Sequence, residues 1–201
     1  LVNKAKPLPS RLINELLPEI GTLLPRDLTV RKIPSEVCNN LNRDPKSPFF
    51  QLIKRSSDDE SKSGVIVDSA IIEVIRKSIN DPLGALSPFK GLGSEPPDID
   101  GMYKTMCSFW AVVKEAFPEA WGKPPNKSRL MHSAGIKAMG TLMDFLMMKM
   151  QSGSNQTEKF KEALHHMKPH CCWTEGIWEG LDWKWDEVQA TPRHIRGLAE
   201  N

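Results

Sequence analysis

The chain has 201 residues, of which 39% are hydrophobic and 26% are charged, a composition typical of a globular protein with a buried core. Its formal net charge is only +2, so any contact with DNA must come from a local basic patch rather than from overall charge. The Met-rich stretch 130–150 is interrupted by Lys137, Asp144 and Lys149, which excludes an apolar span long enough to cross a membrane. We therefore expect no membrane partner.

The cysteines indicate a reducing compartment. Four are present, without paired spacing: Cys38, Cys107, Cys171 and Cys172. Because no secretory signal precedes them, we expect free thiols in a cytoplasmic protein. The first residue is Leu1 rather than Met, so we expect residues 1–201 to be a single helical domain that forms the C-terminal part of a longer protein.

Apolar residues recur mainly with a helical period, which predicts a mainly α fold. We expect an irregular multi-helix bundle with at most a short strand. Ser10 is placed to cap a short helix that Pro18 ends. A second helix is predicted from Asp27, and Pro34 should either kink it or limit it to its C-terminal half.

The middle of the chain contains a polar segment, a short apolar run and a helix. Residues 57–63 are all Ser, Asp, Glu or Lys, which cannot bury apolar area, so we predict a mobile loop. Residues 64–67, Gly-Val-Ile-Val, fit a short strand. A helix is predicted over 70–79, with Asp68 or Ser69 as its cap.

Two longer helices are predicted to form the core. A Gly/Pro-rich connection over 83–97 leads to the first, which Asp98 or Asp100 starts and Pro118 ends. Ser128 is predicted to cap the second. The methionines that recur along both helices are best interpreted as core packing.

A last helix is predicted before the C-terminal segment. Asn155, with Glu158 three residues later, matches a capping box for a helix that reaches His166. The remainder is expected to be a loop-rich segment that contains tryptophans.

The most informative polar segment is 122–129, with the sequence Gly-Lys-Pro-Pro-Asn-Lys-Ser-Arg. If Ser128 caps a helix, the free amides of its N-terminus lie among the cations of Lys123, Lys127 and Arg129, and such an end binds anions. We predict that these four side chains contact the phosphates of duplex DNA, which positions the duplex without reading its sequence. The alternative is a solvated loop with an ordinary serine cap.

Four tryptophans lie within a short C-terminal run: Trp173, Trp178, Trp183 and Trp185. Acidic residues are mixed among them, whereas a nucleic-acid stacking platform combines aromatic with cationic residues. We favour the interpretation that the tryptophans clamp the C-terminal segment onto the helical core. The alternative is that they form a surface that binds a protein partner.

Side chains of the types that bind zinc are concentrated in one stretch: His165, His166, His170, Cys171 and Cys172. Adjacent cysteines cannot easily supply two tetrahedral ligands, so we favour a helix end with exposed histidines and buried thiols over a metal site. The sequence also lacks nucleophile-elbow, zinc-protease and phosphate-loop motifs. We therefore predict no catalytic residues and no cofactor in this chain.

Several segments resemble the C-terminal half of DGQHR-domain proteins, the family that includes the DndB regulators of DNA phosphorothioation. The similar segments are residues 2–9, 12–18, 42–50, 109–121 and 173–179. The resemblance implies a helical region of a bacterial or archaeal protein associated with DNA modification, restriction or mobile-element defence. The Asp-Gly-Gln-His-Arg signature of the family is absent from these residues, so the resemblance assigns no active site to them.

The expected function is therefore that of a DNA-modification-associated regulatory or DNA-binding protein, with duplex DNA as its partner. The alternative is an interaction or oligomerisation module that docks a missing N-terminal ParB-like domain or a partner subunit, or forms a homo-oligomer. The first hypothesis requires salt-dependent DNA binding. The second requires self-association or capture of the missing part.

Overall fold

The computed structural model describes residues 8–20, 26–55, 64–91, 95–150 and 155–200. Seven α-helices lie within these ranges: α1 Ser10–Leu16, α2 Arg26–Arg43, α3 Asp68–Asn80, α4 Ile99–Ala116, α5 Ser133–Lys149, α6 Gln156–Met167 and α7 Pro192–Glu200. The four strands described are β1 Ile53–Lys54, β2 Ile66–Val67, β3 Ile177–Trp178 and β4 Trp183–Lys184. The predicted mainly α, multi-helix fold is confirmed.

The strands form two small ribbons, more than the single short strand expected. β1 and β2 pair in parallel, with Ile53 opposite Ile66, and β2 runs directly into α3. This pairing confirms the strand predicted in 64–67. The predicted mobile loop 57–63 lies outside the described residues. β3 and β4 form an antiparallel hairpin with Trp178 opposite Trp183.

One predicted helix cap is correct and others are wrong. Asp98 precedes α4 and accepts a hydrogen bond from the backbone N–H of Gly101 at 2.8 Å. The caps predicted at Ser10 and at Asp68 or Ser69 are wrong, whereas Asn155 does occupy the cap position of α6 but forms no side-chain hydrogen bond there, so the predicted capping box is not formed. The cap residue is Pro9 in α1 and Val67 in α3, and neither side chain can accept a hydrogen bond from a backbone amide.

Pro34 does not limit α2 to its C-terminal half. The helix extends over 18 residues with Pro34 inside it, and the Pro34 side chain is buried. A proline at this position removes one backbone hydrogen bond and crowds the preceding turn. The packing of α2 against α3 and α4 compensates for that cost, because Val37 and Leu41 of α2 are fully buried.

The core is continuous from α2 to α7 and is centred on aromatic side chains. The Phe49 ring lies 5.0 Å from Trp110 and 5.5 Å from Trp121, measured between centroids. Phe109 meets Phe160 of α6 edge to face at 5.2 Å. Methionines fill the remaining space, as predicted, and those that are almost completely buried are Met102, Met106, Met131, Met139 and Met143.

Polar contacts attach α1 to the rest of the fold. Arg55 donates from Nε to Glu15 Oε1 at 3.2 Å and from Nη2 to Asn39 Oδ1 at 2.9 Å. Asn14, which is only 6% exposed, donates to Asp68 Oδ2 at 3.1 Å. The Arg55 and Glu15 side chains are nearly buried, so this ion pair is shielded from solvent screening. These bonds fix the position of α1 against α2, β1 and α3.

Helices α3 and α5 run side by side in the same direction. Three bridges join them, and the residue numbers rise together on both helices: Glu73 to Lys137 at 2.6 Å, Lys77 to Thr141 at 3.3 Å and Ser78 to Asp144 at 2.5 Å. Beneath the bridges the backbones approach closely at Gly140, because a Cβ there would lie only 2.5 Å from Val74 Cγ1. The absence of a side chain at Gly140 therefore permits this packing.

Replacing Gly140 with alanine should lower the free energy of unfolding by about 1–3 kcal/mol, although alanine favours helix formation. The added methyl group must displace Val74, which is 6% exposed and held within the core. Chemical denaturation of the two proteins measures the difference. Equal or greater stability of Gly140→Ala would contradict the close approach of α3 and α5.

In the described part of the chain, none of the helices has the length and hydropathy needed to cross a membrane. The four cysteines are free, as the sequence predicts. The Gly/Pro-rich connection predicted over 83–97 contains a 3-10 turn at Ser87–Phe89, and residues 92–94 within it are not described.

Candidate nucleic-acid interface

The segment with the predicted DNA contacts is not the N-terminus of a helix. Helix α5 begins at Ser133, and its cap is His132, whose Nδ1 accepts the backbone N–H of Ala134 at 3.3 Å. Burial lowers the pKa of His132, and the nearby Arg129 cation lowers it further, which keeps the ring neutral and able to accept this bond. The cap predicted at Ser128 is therefore wrong.

Ser128 is also unable to reach a phosphate. The residue is fully buried, and its hydroxyl has no hydrogen-bond partner among the described residues. The Pro124-Pro125 sequence redirects the chain before the helix, and the amides of Lys127 and Ser128 both donate to the carbonyl of Pro124, at 2.8 and 3.1 Å. This turn directs the Ser128 side chain into the protein.

Arg129 fixes the turn to the C-terminal segment. Its backbone N–H donates to the carbonyl of Trp173 at 2.8 Å, and its guanidinium donates from Nη1 to Pro125 at 3.1 Å. Nη2 donates to the carbonyl of Asp186, which follows the β3–β4 hairpin. Because Arg129 uses its donors on backbone carbonyls, it positions the segment and is poorly placed to contact DNA.

Two of the four predicted contacts remain exposed. Lys123 and Lys127 lie on the surface, and neither forms a salt bridge or side-chain hydrogen bond within the described ranges. We name residues 123–129 the lysine turn. The bonds to the Pro124 carbonyl and from Arg129 hold the backbone of residues 124–129, and Lys123 directly precedes this turn. Exposed, unpaired cations are suited to contacts with phosphate oxygens.

The tryptophans divide into two pairs. Trp173 and Trp178 are buried, at 4% and 2% exposure, and their rings meet edge to face at 4.8 Å. Trp173 also contacts Phe117, at the end of α4, at 6.2 Å. The favoured interpretation, a clamp onto the core, describes this pair. Trp183 and Trp185 are half-buried, and a partner-binding role for them stays a prediction.

Helix α7 adds cations that the sequence analysis did not identify. The His194 ring lies 4.3 Å from Trp183, and the Arg193 guanidinium lies over the same indole at 5.7 Å. Gly197 permits this packing, because a Cβ there would lie 2.7 Å from the Trp183 ring. Arg196 is exposed on the same helix. The acidic β3–β4 hairpin therefore packs beside cations of α7. The sequence signal for these cations is the Arg-His-x-Arg pattern at 193–196.

The histidine and cysteine cluster lies at the end of α6. His165, His166 and His170 are exposed, as predicted, whereas the thiols of Cys171 and Cys172 are half-buried. Burial raises the pKa of Cys171 to about 12, and burial also raises that of Cys172. Within the described residues, no three His, Cys, Asp or Glu side chains are grouped closely enough to hold a metal ion.

Comparisons with protein-family models, with curated proteins and with solved structures find no match to this chain.

Proposed function

We propose that this chain is the helical, DNA-contacting region of a DNA-modification-associated regulatory protein. The observation that carries the proposal is the lysine turn, in which two exposed lysines without a side-chain partner in the described ranges lie at a hydrogen-bonded turn. The DNA-modification context rests only on the resemblance of five segments to DGQHR-domain proteins. The proposed partner is duplex DNA.

The proposed mode of binding is electrostatic and independent of sequence. Lys123 and Lys127 each neutralise one phosphate, and Arg129 acts as a positioning residue that holds the turn against Trp173 and Asp186. Release of condensed counterions from DNA drives such contacts, so affinity falls as salt rises. With only two contacts, binding is weak for this chain alone. Sequence recognition therefore has to come from other residues or from another part of the protein.

Charge reversal at the lysine turn tests the proposal. Lys123→Glu and Lys127→Glu should each weaken binding to a random duplex several-fold at low salt, and each should flatten the salt dependence by about one unit of slope. Fluorescence anisotropy with a labelled duplex measures both effects. A second duplex of unrelated sequence should show the same losses, because phosphate contacts carry no sequence information.

Lys90→Glu provides a matched control. Lys90 is exposed and directly follows Phe89, whose carbonyl accepts the Asp98 amide at the start of α4, whereas the lysine turn follows the other end of that helix in the chain. The control should retain the affinity of the parent protein. Equal weakening by all three variants would indicate a diffuse charge effect and would refute a role for the lysine turn. Thermal unfolding should show that none of the variants loses stability.

A further inference from the structure

A large groove lies between α3, α5 and α7, on elements separate from the lysine turn. Its volume is about 800 Å³, within the range of roughly 300–1,000 Å³ that small-molecule sites occupy. Residues of all three helices line it. Val74 and Gly140 form its floor at the close contact between α3 and α5.

The interior of the groove is mainly apolar. Its lining includes Ile195 and Ala199 of α7 and Phe145 of α5, and Phe145 is 45% exposed. The Lys149 ammonium lies over the Phe145 ring at 4.4 Å, and a ligand could bury the apolar area of the ring that stays exposed. The walls therefore favour a ligand with an aliphatic or aromatic body.

The groove is lined by equal numbers of acidic and basic residues, but some of them are already paired with one another and cannot contact a ligand. Glu73 is paired with Lys137 at 2.6 Å, so that pair is internally neutralised. Asp144 uses Oδ1 to accept bonds from the Ser78 hydroxyl and the Ala85 amide, and its carboxylate is turned toward these donors. The remaining charged groups on the lining are two cations and one acid: Lys77, Arg196 and Glu200.

The two remaining cations are available to a ligand. Lys77 donates to the neutral Thr141 hydroxyl at 3.3 Å and interacts electrostatically with the Asp144 carboxylate, but it forms no ion pair in the described part of the chain. Arg196 has no hydrogen bond or ion pair there. A guanidinium presents a planar fork of donors that matches the two oxygens of an acid group.

We propose that the groove between α3, α5 and α7 binds an amphiphilic anion, with one acid group between Lys77 and Arg196 and an apolar body against Val74, Phe145 and Ile195. Glu200 opposes this binding by repulsion. The ligand class is a small carboxylate, sulfonate or phosphate monoester that carries an aliphatic or aromatic body. The site is independent of the proposed DNA contacts.

The test uses 1-anilinonaphthalene-8-sulfonate, a fluorescent aromatic sulfonate, with the complete chain. Saturable binding with one site per chain is expected. Lys77→Glu and Arg196→Glu should each weaken it by about tenfold, since a charge-assisted hydrogen bond is lost and repulsion is added. Glu200→Gln should tighten it. Ala199→Trp, which fills the groove, should abolish the saturable phase.

Neighbouring cations outside the groove supply matched controls. Arg76→Glu on α3 and Arg193→Glu on α7 change the same charge one or three positions away from the groove residues, and both should bind the probe like the parent protein. Decanoate should displace the probe, whereas decanol at the same concentration should not. Unsaturable binding, equal effects of the controls and the groove variants, or displacement by decanol as effectively as by decanoate would overturn the proposal.

Discussion

Trp178→Ala is expected to lower the free energy of unfolding by about 3–5 kcal/mol, the range for large aromatic residues truncated in a core. Trp178 is 2% exposed and packs edge to face on Trp173, which in turn contacts Phe117 of the core. Its indole N–H has no hydrogen-bond partner among the described residues, so its contribution comes from packing. Denaturant unfolding followed by far-ultraviolet circular dichroism measures the loss.

Trp185→Ala is the matched control. Trp185 is half-buried and forms no ring contact within the described ranges, and its backbone amide bond to Gly176 at 3.1 Å survives the substitution. We expect a loss below about 1 kcal/mol. A comparable loss from the two variants, or a negligible loss from Trp178→Ala, would contradict the assignment of Trp178 to the core. Either result would favour the alternative that Trp178 belongs to a surface that binds a protein partner.

Asp144→Ala is expected to cost about 3 kcal/mol, because two buried donors lose their acceptor at once. Asp144 Oδ1 accepts the Ser78 hydroxyl at 2.5 Å and the Ala85 amide at 2.9 Å, and Ser78 Oγ itself accepts the Leu86 amide at 3.0 Å. These bonds fix the end of α3, and the turn after it, against α5. Asp144→Asn keeps an acceptor oxygen at the same position, so it should lose much less.

The difference in stability between Asp144→Asn and the parent protein is predicted to depend on pH. Burial raises the pKa of Asp144 above its ordinary value of 3.8, so the folded state binds this proton more tightly than the unfolded state does. The stabilisation from that proton is complete below the ordinary pKa and is lost as pH rises through the raised pKa. The stability of Asp144→Asn relative to the parent protein should therefore increase as pH rises above the ordinary carboxyl pKa of about 4.

Denaturant unfolding at several pH values provides the measurement. Carboxylates that do not interact with Asp144 contribute in both proteins and cancel in the difference, including Asp44, whose pKa is lowered by the hydrogen bond from Tyr103. A difference that stays constant across the range, or one that decreases as pH rises, would contradict the desolvated position of Asp144. Asp144→Ala is the control for loss of the hydrogen bonds themselves.

The sequence predicted the helices that carry a strong apolar period and predicted their caps poorly. α4 and α5 were evident from spacing, since their buried residues recur every three or four positions. Caps depend on a single side chain, and polar residues near a helix start compete for that role. Asp98 takes it before α4, whereas Ser128 is drawn into the core by a turn whose geometry depends on Pro124.

The role of Arg129 could not be predicted from its neighbours. Its partners, Trp173 and Asp186, are distant in sequence and are brought to it only by the fold. Locally, Lys127 and Arg129 look like equivalent cations two residues apart. In the structure they differ, because the Arg129 side chain donates to backbone carbonyls whereas the Lys127 side chain is exposed to solvent.

Helix α7 was missed although its start carried a local signal. Pro192 occupies the first helical position and Thr191 precedes it, a combination that favours a helix start, and the Thr191 Oγ1 accepts the His194 amide at 3.3 Å. Ile195 and Leu198 then follow with helical spacing. The groove beside α5 could not be predicted, because its lining comes from α3, α5 and α7, which are distant in sequence.

The most direct test of the central claim is the salt dependence of binding to a labelled random duplex, measured by fluorescence anisotropy with the unmodified protein. Two phosphate contacts predict weak binding at low salt whose logarithm falls against the logarithm of salt concentration with a slope of about −2. The slope should be shallower, about −1, in Lys127→Glu. Absence of binding at low salt, or binding with a slope near zero, would contradict the claim that this region contacts DNA through the lysine turn.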